Sequence, residues 1–76
     1  PFTDGTTIRL SLPAEQAITL DVYDTAGRLV HRIYDGVTMS AGTHVVMFSS
    51  IGLHAGAYLC VLRAGEVVET LLLIKR

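Results

Sequence analysis

Histidine and cysteine, which can bind zinc or act in nucleophilic catalysis, are sparse in this sequence. His31, His44 and His54 lie in different segments, and none has the close spacing of ligands typical of a zinc site. Cys60 is the single cysteine, so no disulfide can form within the chain. Its apolar neighbours predict a buried thiol that packs as a small hydrophobe. The sequence therefore predicts no metal site.

Serine and glycine motifs typical of enzymes are also incomplete. Ser49-Ser50 precedes Ile51-Gly52 without the G-x-S-x-G pattern of a nucleophile elbow, so we interpret it as a polar turn. The segment from Gly52 to Gly56 lacks the Lys-Ser/Thr ending and the helix of a phosphate-binding loop. We therefore predict no catalytic residues, no cofactor and no enzyme activity.

The last apolar segment, Val67 to Ile74, is a candidate for binding. Its alternation is lost over the final four residues, and Lys75-Arg76 follow directly. If Leu72 and Ile74 point into the core, Leu71 and Leu73 form an exposed apolar row of the kind that marks an interaction site. A strand covered on both faces explains the same pattern, and so does self-association through this strand.

The elements that would position these residues are short strands. Ile8, Leu10 and Leu12 alternate with polar residues, and the stretch from Ala17 to Asp24 repeats this period of two. The sequence has six such runs, with Pro13-Ala14-Glu15 between the first two and glycines between the later ones, and Val37 to Ser40 is a candidate for a seventh strand. We predict an all-β fold, a small seven-stranded immunoglobulin-like antiparallel β-sandwich.

Two local motifs support this fold. In Asp24-Thr25-Ala26-Gly27, the Asp24 side chain can accept backbone hydrogen bonds and Gly27 can take a positive φ, which predicts a type I turn in a hairpin. Tyr58 opens a late strand shortly after Leu53. This arrangement predicts a tyrosine corner, in which the hydroxyl group bonds to backbone upstream.

Length and charge limit the class of protein. The 76 residues have room for one domain, and the longest apolar run, Ala55 to Leu62, is far shorter than a membrane helix. Six Lys and Arg against seven Asp and Glu, without a basic stripe, argue against a nucleic-acid partner. The abrupt start at Pro1-Phe2 suggests a piece excised from a longer polypeptide.

Together, the segments PFTDGTTIRLSLP, ITLDVYDTAGRLV and SAGTHVVMFSSIGLHAGAYLCVLRAGE and the closing apolar strand resemble the C-terminal sorting domain of type IX secretion cargo. The resemblance covers essentially the whole chain. It implies a domain at the end of a secreted Gram-negative protein, which carries an upstream cargo domain from the periplasm to the cell surface. It also implies two partners: the outer-membrane secretion machinery, and a sortase-like peptidase that removes the domain and attaches the cargo to a surface lipopolysaccharide.

Position by position, the resemblance assigns six residues to the turns and strand ends of the family fold: Asp24, Gly27, Arg28, Gly56, Tyr58 and Gly65. It makes the final strand the candidate for recognition by the translocon, through Thr70, Leu71, Leu73, Lys75 and Arg76. Family members often carry a lysine inside this strand, where the present chain has Leu71 and Leu72.

A permanent immunoglobulin-like module, serving as a spacer or adhesion domain of a surface protein, is the alternative function. It would use the same fold. A sorting domain must stand at the extreme C-terminus of its parent chain, whereas a spacer can be followed by more protein. The end at Lys75-Arg76, directly after a strand, favours the sorting domain.

Overall fold

A computed structural model describes residues 5–49 and 52–76 of the chain. Pro1 to Asp4, which begin the first resemblance segment, and Ser50-Ile51, which belong to the expected polar turn, lie outside the described residues. The described residues form six strands: β1 (Gly5–Leu12), β2 (Gln16–Asp24), β3 (Leu29–Met39), β4 (Gly42–Ser49), β5 (Gly56–Ala64) and β6 (Val67–Lys75). None of these residues forms a helix long and apolar enough to cross a membrane.

The strands form two antiparallel sheets. β1 pairs with β4 in a smaller sheet, and the larger sheet has the order β3-β2-β5-β6. The prediction of an all-β fold with two antiparallel sheets is confirmed. In the larger sheet β2 and β5 are central strands, so each is paired on both sides, whereas β3 and β6 are edge strands.

The expected seventh strand is wrong, because Val37 to Met39 continue β3 rather than forming a strand of their own. They pair with the start of β2, where Gln16 lies opposite Met39. Gly36 takes a φ of 65°, and the pairing slips between Ile18 and Thr19. A bulge of this kind lets a strand bend and carry on pairing instead of ending.

One apolar core fills the space between the sheets. The alternating residues predicted to face inward from β1 and β2 do so, and β4, β5 and β6 complete the core. Its buried residues are Ile8, Leu10, Leu12, Ile18, Leu20, Val22, Val46, Phe48, Tyr58, Cys60, Leu62, Ala64 and Leu73. Because alternation places every second residue of a strand on the same face, the other set of side chains covers the outside of each sheet.

The two edges of the larger sheet differ. The pairing of β3 with β2 has three register shifts, and β3 carries His31, Arg32 and Asp35. The pairing of β6 with β5 runs without a shift from Gly56 and Lys75 to Ala64 and Val67. Bulges and charges hinder further pairing at an edge, so β3 is the protected edge and β6 is the open one.

Candidate recognition surface

The turn between β2 and β3 is built around the Asp24 carboxylate. Its Oδ1 accepts hydrogen bonds from the backbone N–H groups of Ala26 at 3.0 Å and Arg28 at 2.9 Å, while Oδ2 accepts one from Arg28 Nε at 2.8 Å. The hydrogen bond from the backbone N–H of Arg28 lowers the pKa of Asp24 below its ordinary value of 3.8. The hydrogen bond and positive charge of the Arg28 side chain lower it further. The carboxylate is thus engaged in the turn.

Gly27 closes this turn as predicted. Its N–H donates to the Asp24 carbonyl at 3.1 Å, and its φ is 83°. Thr25 and Ala26 have no positive φ, which is the geometry of a type I turn. The Asp24 N–H then donates to the Arg28 carbonyl at 2.9 Å, so the five residues form a hairpin loop with a glycine bulge. Asp24, Gly27 and Arg28 are therefore determinants of the fold.

The tyrosine corner is also confirmed. The hydroxyl group of Tyr58 donates to the His54 carbonyl at 2.6 Å, and the Tyr58 ring is part of the core. Gly56 opens β5, and Gly65 lies in the connection between β5 and β6. These residues, like the turn at Asp24, hold strands and their connections in place.

The orientation expected for the final strand is wrong. Leu73 is only 6% exposed and lies opposite Tyr58, while Leu71 lies opposite Cys60, so both are on the core side of the sheet. Leu72, 58% exposed, and Ile74 point outward instead. The sequence could not settle this, because all four residues are apolar and only the pairing with β5 decides which set faces the core.

Leu71 remains 47% exposed although it faces the core side. Within residues 5–49 and 52–76 the smaller sheet has two strands, and an open groove runs between β1 and β6, lined by Ile8, Leu10 and Leu71 among others. No described strand covers β6 along this groove. Leu71 therefore contributes apolar surface at the open edge, but it does not form the exposed row with Leu73 that the sequence suggested.

An apolar surface does cover the outside of the larger sheet. We call it the outer apolar face, and it consists of Leu29, Leu59, Val68, Leu72 and Ile74. The register explains its continuity: Leu72 lies opposite Leu59, which lies opposite Tyr23, which lies opposite Leu29. One row of neighbouring side chains thus crosses all four strands, with Tyr23 between Leu59 and Leu29, while Val68 lies outside this row opposite Arg63. Exposed apolar surface of this kind is typical of a binding site.

The remaining residues of the predicted recognition set are Thr70, Lys75 and Arg76. Thr70 points outward opposite Val61, and Arg76 follows the end of β6. The Lys75 ammonium donates to the Leu53 carbonyl at 2.8 Å, which ties the end of β6 to the connection between β4 and β5. Lys75 therefore has a structural contact, while Thr70 and Arg76 are exposed.

A buried carboxylate beside the outer apolar face was not predicted. Asp21 has no exposed surface, and its two oxygens accept hydrogen bonds from Arg32 at 2.7 and 3.1 Å. Arg63 approaches the same carboxylate at 3.5 Å from β5. Asp21 occupies a polar position of the alternating pattern, and side chains at such positions are normally exposed to solvent. The opposite charges on two later strands were the available signal, but using it required knowing the strand order.

The histidines and the cysteine of the described residues make separate local contacts. No group of three His, Cys, Asp or Glu among them could hold a metal ion. His44 Nε2 lies 2.7 Å from the Ser40 carbonyl, and the His31 ring is tilted at 44° to the Phe48 ring with 5.6 Å between their centroids, so these two histidines are in separate places. Burial raises the pKa of the Cys60 thiol from 9.0 to about 11, which keeps it protonated and unreactive at neutral pH.

Comparisons with protein-family models, with curated proteins and with solved structures found no match for this chain. The outer apolar face and the open edge of β6 are the features of the described residues best suited to recognition. The motif resemblance described under "Sequence analysis" remains an expectation that these comparisons do not test.

Proposed function

We propose that the chain is an immunoglobulin-like C-terminal sorting domain, which directs a cargo protein through the outer-membrane type IX translocon for surface attachment or release. The observation that carries the proposal is the open edge of β6 beside the outer apolar face, in a chain whose motifs follow the order of that family. In this proposal the domain is an address read by a receptor, and it performs no chemistry itself.

The edge of β6 suits a receptor that adds a strand. An extended segment can pair with an exposed sheet edge through backbone hydrogen bonds, while side chains on alternate positions provide specificity. Leu72 and Ile74 supply apolar contacts on the outer side of β6. They replace Leu71 and Leu73 as the outward pair of the recognition set, since Leu73 belongs to the core. Arg76 adds a positive charge for an acidic receptor.

Delivery of a reporter tests the proposal. The reporter is fused in front of the 76 residues and expressed in a bacterium that has a type IX translocon. Leu72→Thr with Ile74→Thr retains strand propensity and removes outward apolar area, so we expect a folded domain that no longer delivers the reporter. Val45→Thr with Met47→Thr changes exposed residues on the smaller sheet and should deliver normally.

The result depends on both measurements. Thermal unfolding of each purified domain shows whether the fold is kept, and surface labelling of the reporter shows whether it is exported. Normal delivery by the folded Leu72→Thr, Ile74→Thr domain would contradict recognition through this face. Failure of the unaltered fusion to reach the surface would contradict the sorting function as a whole.

The alternative is a permanent spacer or adhesion module of a surface protein, which the same fold would serve. A permanent module would keep its domain after export. An intact fusion at the cell surface, still carrying the 76 residues, would support this alternative over a label that is cleaved.

A further inference from the structure

The edge of β6 has the properties of a strand that pairs with another chain. It is nine residues long, it follows β5 without a register shift, and within the described residues it is paired on one side only. It contains no proline. A long, flat and apolar edge strand is a template for further pairing unless charges or bulges obstruct it.

The charges of β6 select a particular partner. Glu69 and Lys75 lie three residues before and three residues after Leu72. In an antiparallel pair of two identical strands centred on Leu72, Glu69 of each copy lies opposite Lys75 of the other. Opposite charges facing each other across strands stabilise a pair, and here the match occurs twice because the arrangement is symmetric.

The apolar residues agree with the same register. Thr70 lies opposite Ile74 of the second copy, and Leu71 lies opposite Leu73. The exposed surface of Leu71, which the smaller sheet leaves open, would then be covered by the second β6. On the outer side, Leu72 meets its own copy and joins the two outer apolar faces into one surface.

We propose that this edge is a self-pairing interface: β6 of two copies pairs antiparallel about a two-fold axis at Leu72, giving a continuous eight-stranded sheet. The neighbouring register, centred on Leu71, places Glu69 opposite Leu73 and loses both charge matches. The proposal rests on the edge, register and charges of β6. A second copy paired there would occupy the same edge that the proposed receptor reads, and the tests below do not depend on secretion.

Cysteine cross-linking tests the register in the 76-residue chain. Residues directly opposite in an antiparallel pair have Cα atoms about 4.5 to 5.5 Å apart, which a disulfide can span. Under mild oxidation Leu72→Cys should give a disulfide-linked dimer. Leu71→Cys, the centre of the other register, is combined with Cys60→Ala, because position 71 lies opposite the Cys60 thiol of its own chain. This variant and Met47→Cys, 85% exposed on the smaller sheet, should stay monomeric. The unaltered chain shows the background from the buried Cys60.

Cross-linking at Leu71→Cys in preference to Leu72→Cys would overturn the register. Equal cross-linking at Met47→Cys would mean random collision and would overturn the interface. In all variants, circular dichroism verifies that the fold is kept, so that an unfolded chain is not mistaken for a dimer.

Exchanging the charges of Glu69 and Lys75 tests, without an introduced cysteine, whether these residues stabilise pairing with a second copy. Glu69→Lys and Lys75→Glu each set like charges opposite each other twice, so each should raise the dimer Kd about tenfold by sedimentation equilibrium. The double variant restores both charge matches but not the hydrogen bond of Lys75 to the Leu53 carbonyl, so its Kd should fall below that of either single variant. An unchanged Kd in the folded single variants, or no dimer of the unaltered chain at any concentration, would overturn the proposal.

Discussion

Asp21 is a charged residue without exposed surface, held by two arginines that remain half exposed. Such a pair adds little net stability, because removing a carboxylate from water costs about as much as the pairing returns. The Asp21 network affects strand register more than it affects the free energy of unfolding. A slip of β2 by one residue would turn Asp21 into the core and Leu20 to the outside, so the network with Arg32 and Arg63 disfavours misaligned strands.

Gly27 carries a second effect at the scale of one residue. Space does not require glycine here, since an added Cβ would meet no atom within 4 Å, but the φ of 83° does. We expect Gly27→Ala to lower the free energy of unfolding by about 1 kcal/mol or more, measured as a lower urea midpoint. Thr25→Ala, in the same exposed turn at a negative φ, should change the midpoint little. Equal midpoints for Gly27→Ala and the unaltered chain would contradict the role of the turn.

At the scale of the element, β6 shows where sequence reasoning works and where it ends. The alternation in β1 and β2 correctly predicts their inward residues, and the turn and tyrosine corner follow from local chemistry. The inward side of β6 is decided by its pairing with β5, a tertiary relation that four consecutive apolar residues cannot encode. The contacts of Asp21 depend on strand order in the same way. Local patterns are therefore predictable, and cross-strand relations are not.

The corrected orientation of β6 leads to a stability prediction. Leu73→Ala should lower the free energy of unfolding by about 2 to 5 kcal/mol, because it opens a cavity beside Tyr58. Leu72→Ala removes an outward side chain and should cost well under half as much. Urea titrations of both variants measure the difference. A larger loss for Leu72→Ala than for Leu73→Ala would restore the orientation first expected from the sequence.

At the scale of the whole molecule, the two sheets share one core although they share no strand. β1 and β4 are separated in the chain by both β2 and β3, so the smaller sheet is not a local hairpin that could form alone. Its inward residues, including Val46 and Phe48, pack in the same cluster as those of the larger sheet. Neither sheet can therefore bury its apolar side without the other, and we expect cooperative unfolding.

The tyrosines allow this to be measured, because Tyr23, Tyr34 and Tyr58 all lie in the larger sheet. Tyrosine fluorescence then reports on the larger sheet alone, whereas far-ultraviolet circular dichroism reports on both. Val46→Ala, in the smaller sheet, should lower the free energy of unfolding by about 2 kcal/mol and shift both signals by the same amount. Val45→Ala, at the neighbouring exposed position, should shift neither. A fluorescence transition unmoved by Val46→Ala would show that the larger sheet folds without the smaller one.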